Sequence, residues 1–251
     1  MPFDTIAVNY LSLRSRRRLY KSATEHGIRK ALHFDGTCIS VLVGKNWLLD
    51  NTSVKSYVHD ITLMGFDAAT THDDYVYWPD PPSYRWSRIH KSIDRARELV
   101  RLSPDLEVIG IVKGSSPTEI GFSIDKLCEM GVRRVAFPCS ELSFERRHDD
   151  INWFLRKAAS LKLWKWLIGI GSPRLMRRFG ADCYSSAEWA YSSTLGVEFS
   201  LHRVRHTRDY PHCAHSLCDS LSQSGISRTI ARARHNALTL NEIDLELRGL
   251  R

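Results

Sequence analysis

Two cysteines and several histidines lie close together near the end of the chain. Cys213, His215 and Cys218 stand within six residues, and 16 residues separate Cys218 from His235. Thiolate and imidazole groups are the ligands that zinc prefers, and four protein ligands make a closed, structural site. The spacing predicts a tetrahedral zinc site formed by Cys213, His215, Cys218 and His235, with His212 as an alternative to His215. The competing interpretation is a pair of unrelated buried cysteines in a segment rich in histidine.

Paired carboxylates follow a short apolar strand in the first third of the chain. Asp73 and Asp74 come after the predicted strand 66–70 and before the aromatic segment 75–78. In α/β proteins, the side chains just past the carboxyl ends of parallel strands are the ones that bind ligands and catalyse reactions. Both aspartates are therefore candidate functional carboxylates. A turn or a helix cap is the alternative, because aspartate is frequent at helix N-caps.

Lys113 and Glu141 follow two later predicted strands. Lys113 comes after the continuous apolar run 106–112, and Glu141 comes shortly after the strand 132–138. Lys113 could contact a phosphate or a base, or it could be a structural cation that extends its ammonium towards water. Glu141 could contact the edge of a bound base. If Lys113 lies near Asp73, we expect it to hold that carboxylate in its ionised form.

Strands and helices must alternate to position these side chains. The uninterrupted apolar run 106–112 is typical of a buried parallel strand, and further strands are predicted at 30–43, at 132–138, at 164–171 and from residue 181. Helices are predicted within residues 1–30 and at 54–64, 85–102, 117–130, 147–161 and 226–240, with a rigid loop at 79–84. This alternation indicates an α/β fold. We expect a TIM-like (β/α) barrel over 1–205 and a zinc-binding subdomain over 206–251, with an open doubly wound sheet as the alternative to the barrel.

The charge of the chain favours an anionic partner. Its 251 residues carry a net charge of +8, and such an excess attracts nucleic acid. We expect binding that weakens as salt is added, because it rests on contacts to phosphates, and we expect the cluster Arg174, Arg177 and Arg178 to contribute to it. A solvated basic surface without a partner is the alternative. No apolar run is long enough to span a membrane and no signal peptide is evident, so a cytoplasmic location is expected.

Several motifs resemble those of the tRNA-guanine transglycosylases and come in the order of that family. The zinc segment resembles the family's C-x-C-x-x-C…H-N site, with His215 at the middle cysteine. Leu167–Pro173 resembles the family's L-M-G-V-G-T-P turn, and Gly180–Ala187 resembles its G-x-D-x-F-D-S-A segment. Ile111–Gly114 resembles its V-Q-G strand, and Gly65–Asp73 resembles the strand of its general-base aspartate. The last is most similar to the branch that inserts 7-deazaguanines into DNA.

The resemblance implies a (β/α) barrel that carries zinc and exchanges a guanine base in DNA or tRNA for a 7-deazaguanine. In the family, one aspartate attacks the sugar C1′ to form a covalent intermediate, and a second aspartate handles protons. Asp73 matches the second aspartate. Lys113 stands where the family has a base-recognising glutamine, and Gly114 follows it in the substrate strand.

Ser185 stands at the position of the nucleophilic aspartate, and a neutral hydroxyl is a poor replacement for a carboxylate beside a cationic sugar. Asp182 could supply a carboxylate if the local register shifts. Two hypotheses follow: an active transglycosylase with a remodelled pocket, and a non-catalytic nucleic-acid-binding relative. The second could be a partner subunit of an active enzyme, and either a homodimer or a heterodimer is compatible with the sequence.

The first test is whether the protein contains zinc and depends on it for stability. We expect the purified protein to contain about one equivalent of zinc per chain, because a four-ligand site closes around one ion. In Cys218→Ser, both the metal and thermal stability should be lost together, because the binding energy of a structural zinc is part of the folding energy. Elemental analysis and thermal unfolding check this, with Cys183→Ser, outside the predicted ligand set, as the matched control. If the wild-type protein contained no zinc and were no more stable than Cys218→Ser, the predicted zinc site would be ruled out.

Overall fold

The computed structural model describes residues 5–32, 39–44, 52–74, 76, 79–139, 148–185, 197–199, 204–206 and 228–247. The first elements in chain order are β1 Thr5–Asn9, α1 Tyr10–Ser15, α2 Arg17–His26, α3 Ile28–Ala31, β2 Ile39–Val43, α4 Val54–Met64, β3 Ala68–Thr70 and α5 Pro82–Leu102. They are followed by β4 Glu107–Ile111, α6 Pro117–Glu129, β5 Arg134–Pro138, α7 His148–Ser160 and β6 Trp164–Ile168. The last described elements are α8 Pro173–Arg178, β7 Cys183–Ser185, β8 Val197–Phe199, β9 Val204–His206 and α9 Arg228–Leu247.

The main sheet has its strands in the order of the chain, β1 to β7. The pairs β1–β2, β2–β3, β3–β4 and β4–β5 are all parallel. A doubly wound sheet reverses its strand order at a switch point, and this sheet does not. The α/β class and the TIM-like succession of parallel strands are therefore confirmed. Of the predicted zinc-binding subdomain, 206–251, the structure describes only His206 and α9.

The chain divides into two compact units, one that ends at Trp166 and one that runs from Leu167 to Arg251. Within the second unit, β8 and β9 form an antiparallel pair, and α9 packs against β8 and α8. Arg177 of α8 forms a 3.0 Å ion pair with Glu246 of α9. Among the described helices of both units, none is long and apolar enough to cross a membrane.

The beginning of the chain corrects one prediction. Residues 1–30 were expected to be helical, but Thr5–Asn9 forms β1, and each of its residues has a parallel partner in β2. Helices follow only from Tyr10 onwards. The arginine-rich stretch after Tyr10 has the pattern of a helix. The short β-branched run before it was too short to be predicted as a separate strand. Among the described strands, β1 comes first in the order of the sheet and pairs with β2.

Helix α4 follows the sequence prediction, and its ends have local causes. The Ser53 hydroxyl caps its first turn by accepting from the Ser56 amide at 3.2 Å. Gly65 ends the helix in the left-handed region, with φ of 68°, which glycine adopts at little cost. The inward face places Tyr57 and Ile61 in a core with Leu42 of β2. Burying each such side chain contributes about 1.5–3 kcal/mol.

Helix α5 begins at Pro82, inside the segment predicted as the loop 79–84. Proline is compatible with the first turn of a helix, because the amide that it lacks has no partner there. The two prolines before Ser83 therefore mark a helix start rather than a continuous loop. The buried face of α5 carries Ile89, Ser92, Ile93, Ala96 and Leu99.

Asp60 connects the helices at the start of the chain to α4. It is buried, and it accepts hydrogen bonds from the Tyr10 hydroxyl at 2.5 Å and the Tyr20 hydroxyl at 3.0 Å. Burial, followed by the hydrogen bond to Asp60, raises the pKa of Tyr10 above its ordinary value. The phenol therefore stays protonated and keeps donating at neutral pH.

Asp60→Ala should lower the free energy of unfolding by about 3 kcal/mol, because two hydrogen bonds to a charged acceptor are lost. Tyr20→Phe removes one of them at a half-buried position and should cost about 1 kcal/mol. Urea unfolding at pH 7 measures both values. Equal stabilities of Asp60→Ala and the wild type would contradict a role for this carboxylate in holding α1 and α2.

Candidate active site

The segment after β3 is held against β4. The Thr71 amide donates to the Ile109 carbonyl at 2.9 Å, and the Thr71 hydroxyl accepts from the Ile111 amide at 2.8 Å. These two bonds continue the pairing of β3 with β4 beyond the last strand residue, Thr70. The residues that follow, 72–74, are therefore fixed at the carboxyl-end edge of the parallel sheet.

Asp73 and Lys113 form a buried ion pair at this edge. The Lys113 ammonium donates to Oδ1 of Asp73. Lys113 exposes only 2% of its surface, and Asp73 exposes only 5%. Asp73 follows β3 and Lys113 follows β4, and the two strands are neighbours. The structure therefore brings together two of the residues singled out in the sequence. Each charge compensates the other where water is largely excluded.

The backbone at Lys113 is fixed by α6. Its amide donates to the Ser123 hydroxyl at 3.0 Å. Gly114 has φ of 143°, and a Cβ at this position would lie 2.6 Å from the Ile120 amide nitrogen. Only glycine combines that backbone conformation with so close an approach. The sequence assigned Gly114 to substrate binding, and the structure gives it a steric reason to be glycine that needs no substrate.

Glu119 fixes the turn between β4 and α6. The Ser116 hydroxyl caps α6 by accepting from the Glu119 amide at 3.3 Å, and Oε2 of Glu119 accepts from the Ser115 amide at 2.8 Å. Oε1 accepts from Nε of Arg85 in α5 at 2.9 Å. The Ser-x-x-Glu spacing is a capping-box signal that sequence reasoning missed. The buried carboxylate occupies the start of α6 and couples it to α5.

Asp74 is paired separately. Both of its carboxylate oxygens lie 3.3 Å from Nη1 of Arg95 in α5, and the aspartate is almost fully buried. Arg95 was not singled out in the sequence, since an arginine in the middle of a helix carries no signal of its own. Asp74 thus anchors the edge to α5, and the pair Asp73–Lys113 stands beside it.

His72, a buried imidazole, directly precedes the two paired aspartates in the sequence. It is fully buried, its ring meets Tyr57 edge-on at 5.1 Å, and neither ring nitrogen has a hydrogen-bond partner in the described chain. Burial, assisted by the charge of Arg95, lowers the pKa of His72 from 6.5 to about 4. The ring is neutral at pH 7. As pH falls from 6.5 towards 4, the unfolded chain takes up a proton that the folded chain does not, so folding is weakened in that window.

The other predicted catalytic residues lie in the second unit. Asp182 and Ser185 are half-buried; Ser185 is the last residue of β7, and its carbonyl accepts from the Gly169 amide at 2.6 Å. Tyr184, between them, has its hydroxyl 3.0 Å from the Ala181 amide and 3.1 Å from the Met176 carbonyl. Glu141, the last substrate-contact candidate, falls outside the described residues.

Of the four predicted zinc ligands, only His235 is described. It lies on α9, where it exposes 3% of its surface beside the fully buried Asn236. An inward-facing imidazole of this kind fits the chemistry of a zinc ligand. Cys213, His215 and Cys218 lie outside the described residues. Within the described ranges, no three side chains of His, Cys, Asp or Glu are grouped to hold a metal ion.

A cavity of about 330 Å³ lies at the other edge of the sheet, where β4 and β5 begin. Its lining includes Leu106 and Glu107 at the start of β4 and Arg133 and Arg134 at the start of β5. These residues lie at the amino ends of the strands, whereas Asp73 and Lys113 lie beyond the carboxyl ends. This cavity therefore contributes nothing to the candidate site.

The arrangement of Asp73 and Lys113 supports two kinds of chemistry. An ionised carboxylate at a strand end can stabilise a developing positive charge or accept a proton. An ammonium group has three hydrogens to donate, and lysine is one of the side chains that bind the acceptors O6 and N7 of guanine.

Comparison of the chain with protein-family models found no match, and comparison with curated proteins found none. The resemblance to the transglycosylases therefore rests on the motifs of the sequence, and the activity that it implies is a proposal.

The energetic coupling of Asp73 and Lys113 can be measured directly. Asp73→Asn and Lys113→Met should each lower the free energy of unfolding by about 3 kcal/mol, since each leaves a buried charge without its partner. The double variant should lose clearly less free energy of unfolding than the two single variants lose together. Urea unfolding at pH 7 provides the three values.

The matched control is the exposed pair Asp94–Arg97 on α5, with N–O distance 2.8 Å. Asp94→Asn should change the free energy of unfolding by no more than about 0.5 kcal/mol, because water screens an exposed pair. Strict additivity at Asp73 and Lys113 would show that the two charges do not depend on each other.

Proposed function

We propose that this protein is a transglycosylase-like enzyme that exchanges or releases a guanine or 7-deazaguanine base in DNA or tRNA. The observation that carries the proposal is the buried carboxylate of Asp73 at the carboxyl end of β3, joined to Lys113 at the end of β4. This is the edge at which parallel-stranded α/β enzymes hold their reacting groups. The family motifs quoted from the sequence and the net charge of +8 support a nucleic-acid substrate.

In the proposed reaction, the bond between C1′ of the sugar and N9 of the outgoing base breaks, and its electron pair leaves on the base. The departing base takes up a proton, and C1′ gains positive charge. In exchange, the incoming base loses its N9 proton and forms the new bond to C1′; in release, water does so. Asp73 stabilises the cationic sugar or transfers the proton. Lys113 donates to O6, an acceptor that guanine and 7-deazaguanine share.

Ser185 decides how much of the family mechanism can apply. A serine at the position of the nucleophilic aspartate makes the covalent intermediate unfavourable, because its neutral hydroxyl provides no carboxylate for C1′. Asp73 would then be the main carboxylate of the reaction, with Asp182 as the remaining alternative. Zinc belongs to the same proposal as a structural ion held by Cys213, His215, Cys218 and His235, without a part in the reaction.

A second candidate is a non-catalytic nucleic-acid-binding relative, which could serve as the partner subunit of an active transglycosylase. The serine at 185 favours this candidate, because a neutral hydroxyl is a poor replacement for the nucleophilic carboxylate of the family. Both candidates bind nucleic acid, and they differ in whether a base is exchanged.

A base-exchange assay with labelled guanine or 7-deazaguanine, on both DNA and tRNA, tests the proposal. Asp73→Asn should reduce exchange or release by at least about 100-fold, which is the scale of a lost acid–base group. Ser185→Ala should have little effect, and Ser185→Asp should raise activity by restoring the family nucleophile. Wild-type activity in Asp73→Asn would remove Asp73 from the mechanism.

Because Asp73→Asn also leaves Lys113 unpaired, the assay needs a folding control. Asp73→Asn combined with Lys113→Gln carries no buried charge at the pair and should be inactive but folded by circular dichroism. Lys113→Gln alone retains Asp73 and restores the family residue, so it should retain exchange activity. If the wild type exchanges no base on either nucleic acid, the non-catalytic candidate is favoured.

A further inference from the structure

The first two turns of α2 expose basic side chains on one face. Arg17 and Lys21 are four residues apart and Arg18 and Lys21 are three apart, so these side chains are neighbours on the helix surface. All three are exposed, and so is Arg16, which directly precedes the helix. We call Arg17, Arg18 and Lys21 the basic face of α2.

Few carboxylates lie near the basic face. α2 packs mainly against α1, α3 and α4, and the only carboxylate on those three helices is Asp60, which is buried and accepts from two tyrosine hydroxyls. Lys21 has an exposed partner on α2 itself, Glu25, at 3.7 Å. Within the described part of the chain, the side chains of Arg17 and Arg18 form no ion pair. The field at this surface is therefore positive.

The two arginines do not stabilise the helix that they begin. Arg17 and Arg18 lie in the first turn of α2, which contains no acidic side chain, and Arg16 gives the helix no side-chain cap. The amino end of a helix carries a partial positive charge, so cations at this end are unfavourable. An anion bound here would offset the repulsion, which gives these charges a role outside the fold itself.

The basic face lies close to the candidate active site. Arg14, three residues before the face begins, has its guanidinium 5.5 Å from the centre of the Tyr10 ring. Tyr10 meets Tyr57 at 5.1 Å, and Tyr57 meets His72 at the same distance. His72 directly precedes Asp73. The path from the basic face to this carboxylate is therefore shorter than one turn of a double helix, which is about 34 Å long.

The opposite side of α2 indicates which kind of anion fits. Ala23 belongs to the buried core, and Leu19 and Tyr20 pack against it. A helix that binds a membrane surface buries its apolar side in the lipid, whereas the apolar side of α2 is covered by the protein. The exposed side offers charge without an apolar surface, which fits the phosphate backbone of a nucleic acid.

We propose that the basic face of α2 binds the phosphate backbone of the nucleic-acid substrate, with Arg17 and Arg18 as the principal contacts and Lys21 as a third. The proposal rests on the proposed function and assigns where the substrate is held outside the candidate active site. A guanidinium group donates two parallel hydrogen bonds to a phosphate. Such contacts position a nucleic acid without reading its sequence, so this face supplies affinity while the edge at Asp73 selects the base.

The test is fluorescence anisotropy of Arg17→Gln/Arg18→Gln with a labelled DNA duplex and a labelled tRNA over a range of salt concentrations. At low salt the Kd for the preferred probe should rise at least about tenfold, because two phosphate contacts are lost. For the duplex, the slope of log Kd against log salt should become shallower by about two. In the base-exchange assay, KM for the nucleic acid should rise with kcat unchanged, because the reacting groups are untouched.

Folding and net charge are controlled separately. The melting temperature of Arg17→Gln/Arg18→Gln should be unchanged or higher, because two cations leave the amino end of a helix. Weaker binding then has no explanation in unfolding. The matched control is Arg97→Gln/Arg101→Gln, which removes the same charge from exposed positions in the last turns of α5. Its Kd should stay within about twofold of the wild type, because no phosphate contact is proposed there.

An unchanged Kd for both probes in Arg17→Gln/Arg18→Gln would overturn this inference and leave the base-exchange proposal intact. Equal weakening in the control variant would also overturn it, because it would reveal a general attraction by net charge. The same holds if the variant loses only binding to phosphatidylserine vesicles, which would assign the face to a membrane. A wild type that binds neither probe at low salt would overturn both this inference and the nucleic-acid substrate of the proposed function.

Discussion

The ion pair between Asp73 and Lys113 constrains the whole carboxyl-end edge of the sheet. Two charges taken out of water are tolerated only when each keeps the other at contact distance. That requirement fixes where β3 and β4 must end relative to each other, and Thr71 maintains the spacing by bonding to β4 through both its backbone and its side chain. The surrounding polar groups serve the same geometry. Ser123 and Gly114 set the backbone of Lys113, and a side chain at position 114 would displace the start of α6.

Around this pair, each buried charge has a partner on a neighbouring helix. Asp74 is held by Arg95, and Glu119 is held by Arg85. Both arginines lie on α5, so this helix neutralises the carboxylates that flank the site on both sides. The result is an edge that is rich in charged groups but balanced in charge. A ligand entering such an edge meets fixed dipoles and hydrogen-bond donors, and it does not have to reorganise water around free charges.

The sequence was sufficient to predict the parallel α/β fold, because strand and helix periods alternate clearly from Val54 onwards. It also placed Asp73 and Lys113 at strand ends. It could not predict Arg95 or Arg85 as partners, because those contacts depend on the rotation of α5 about its own axis, which a hydrophobic pattern defines only roughly. β1 was missed because five residues next to an arginine-rich helix carry too little pattern to register as a strand.

The hydrogen bonds from Tyr10 and Tyr20 to Asp60 have a consequence for synthesis on the ribosome. Each tyrosine leaves the ribosome before its acceptor, which follows 50 residues after Tyr10 and 40 residues after Tyr20, and the parallel partner of β1 also comes later in the chain. Translation adds only about 5–20 residues per second. For several seconds the nascent chain therefore presents β1 and the two phenols without the groups that they contact in the folded protein. Docking becomes available only when α4 has cleared the exit tunnel.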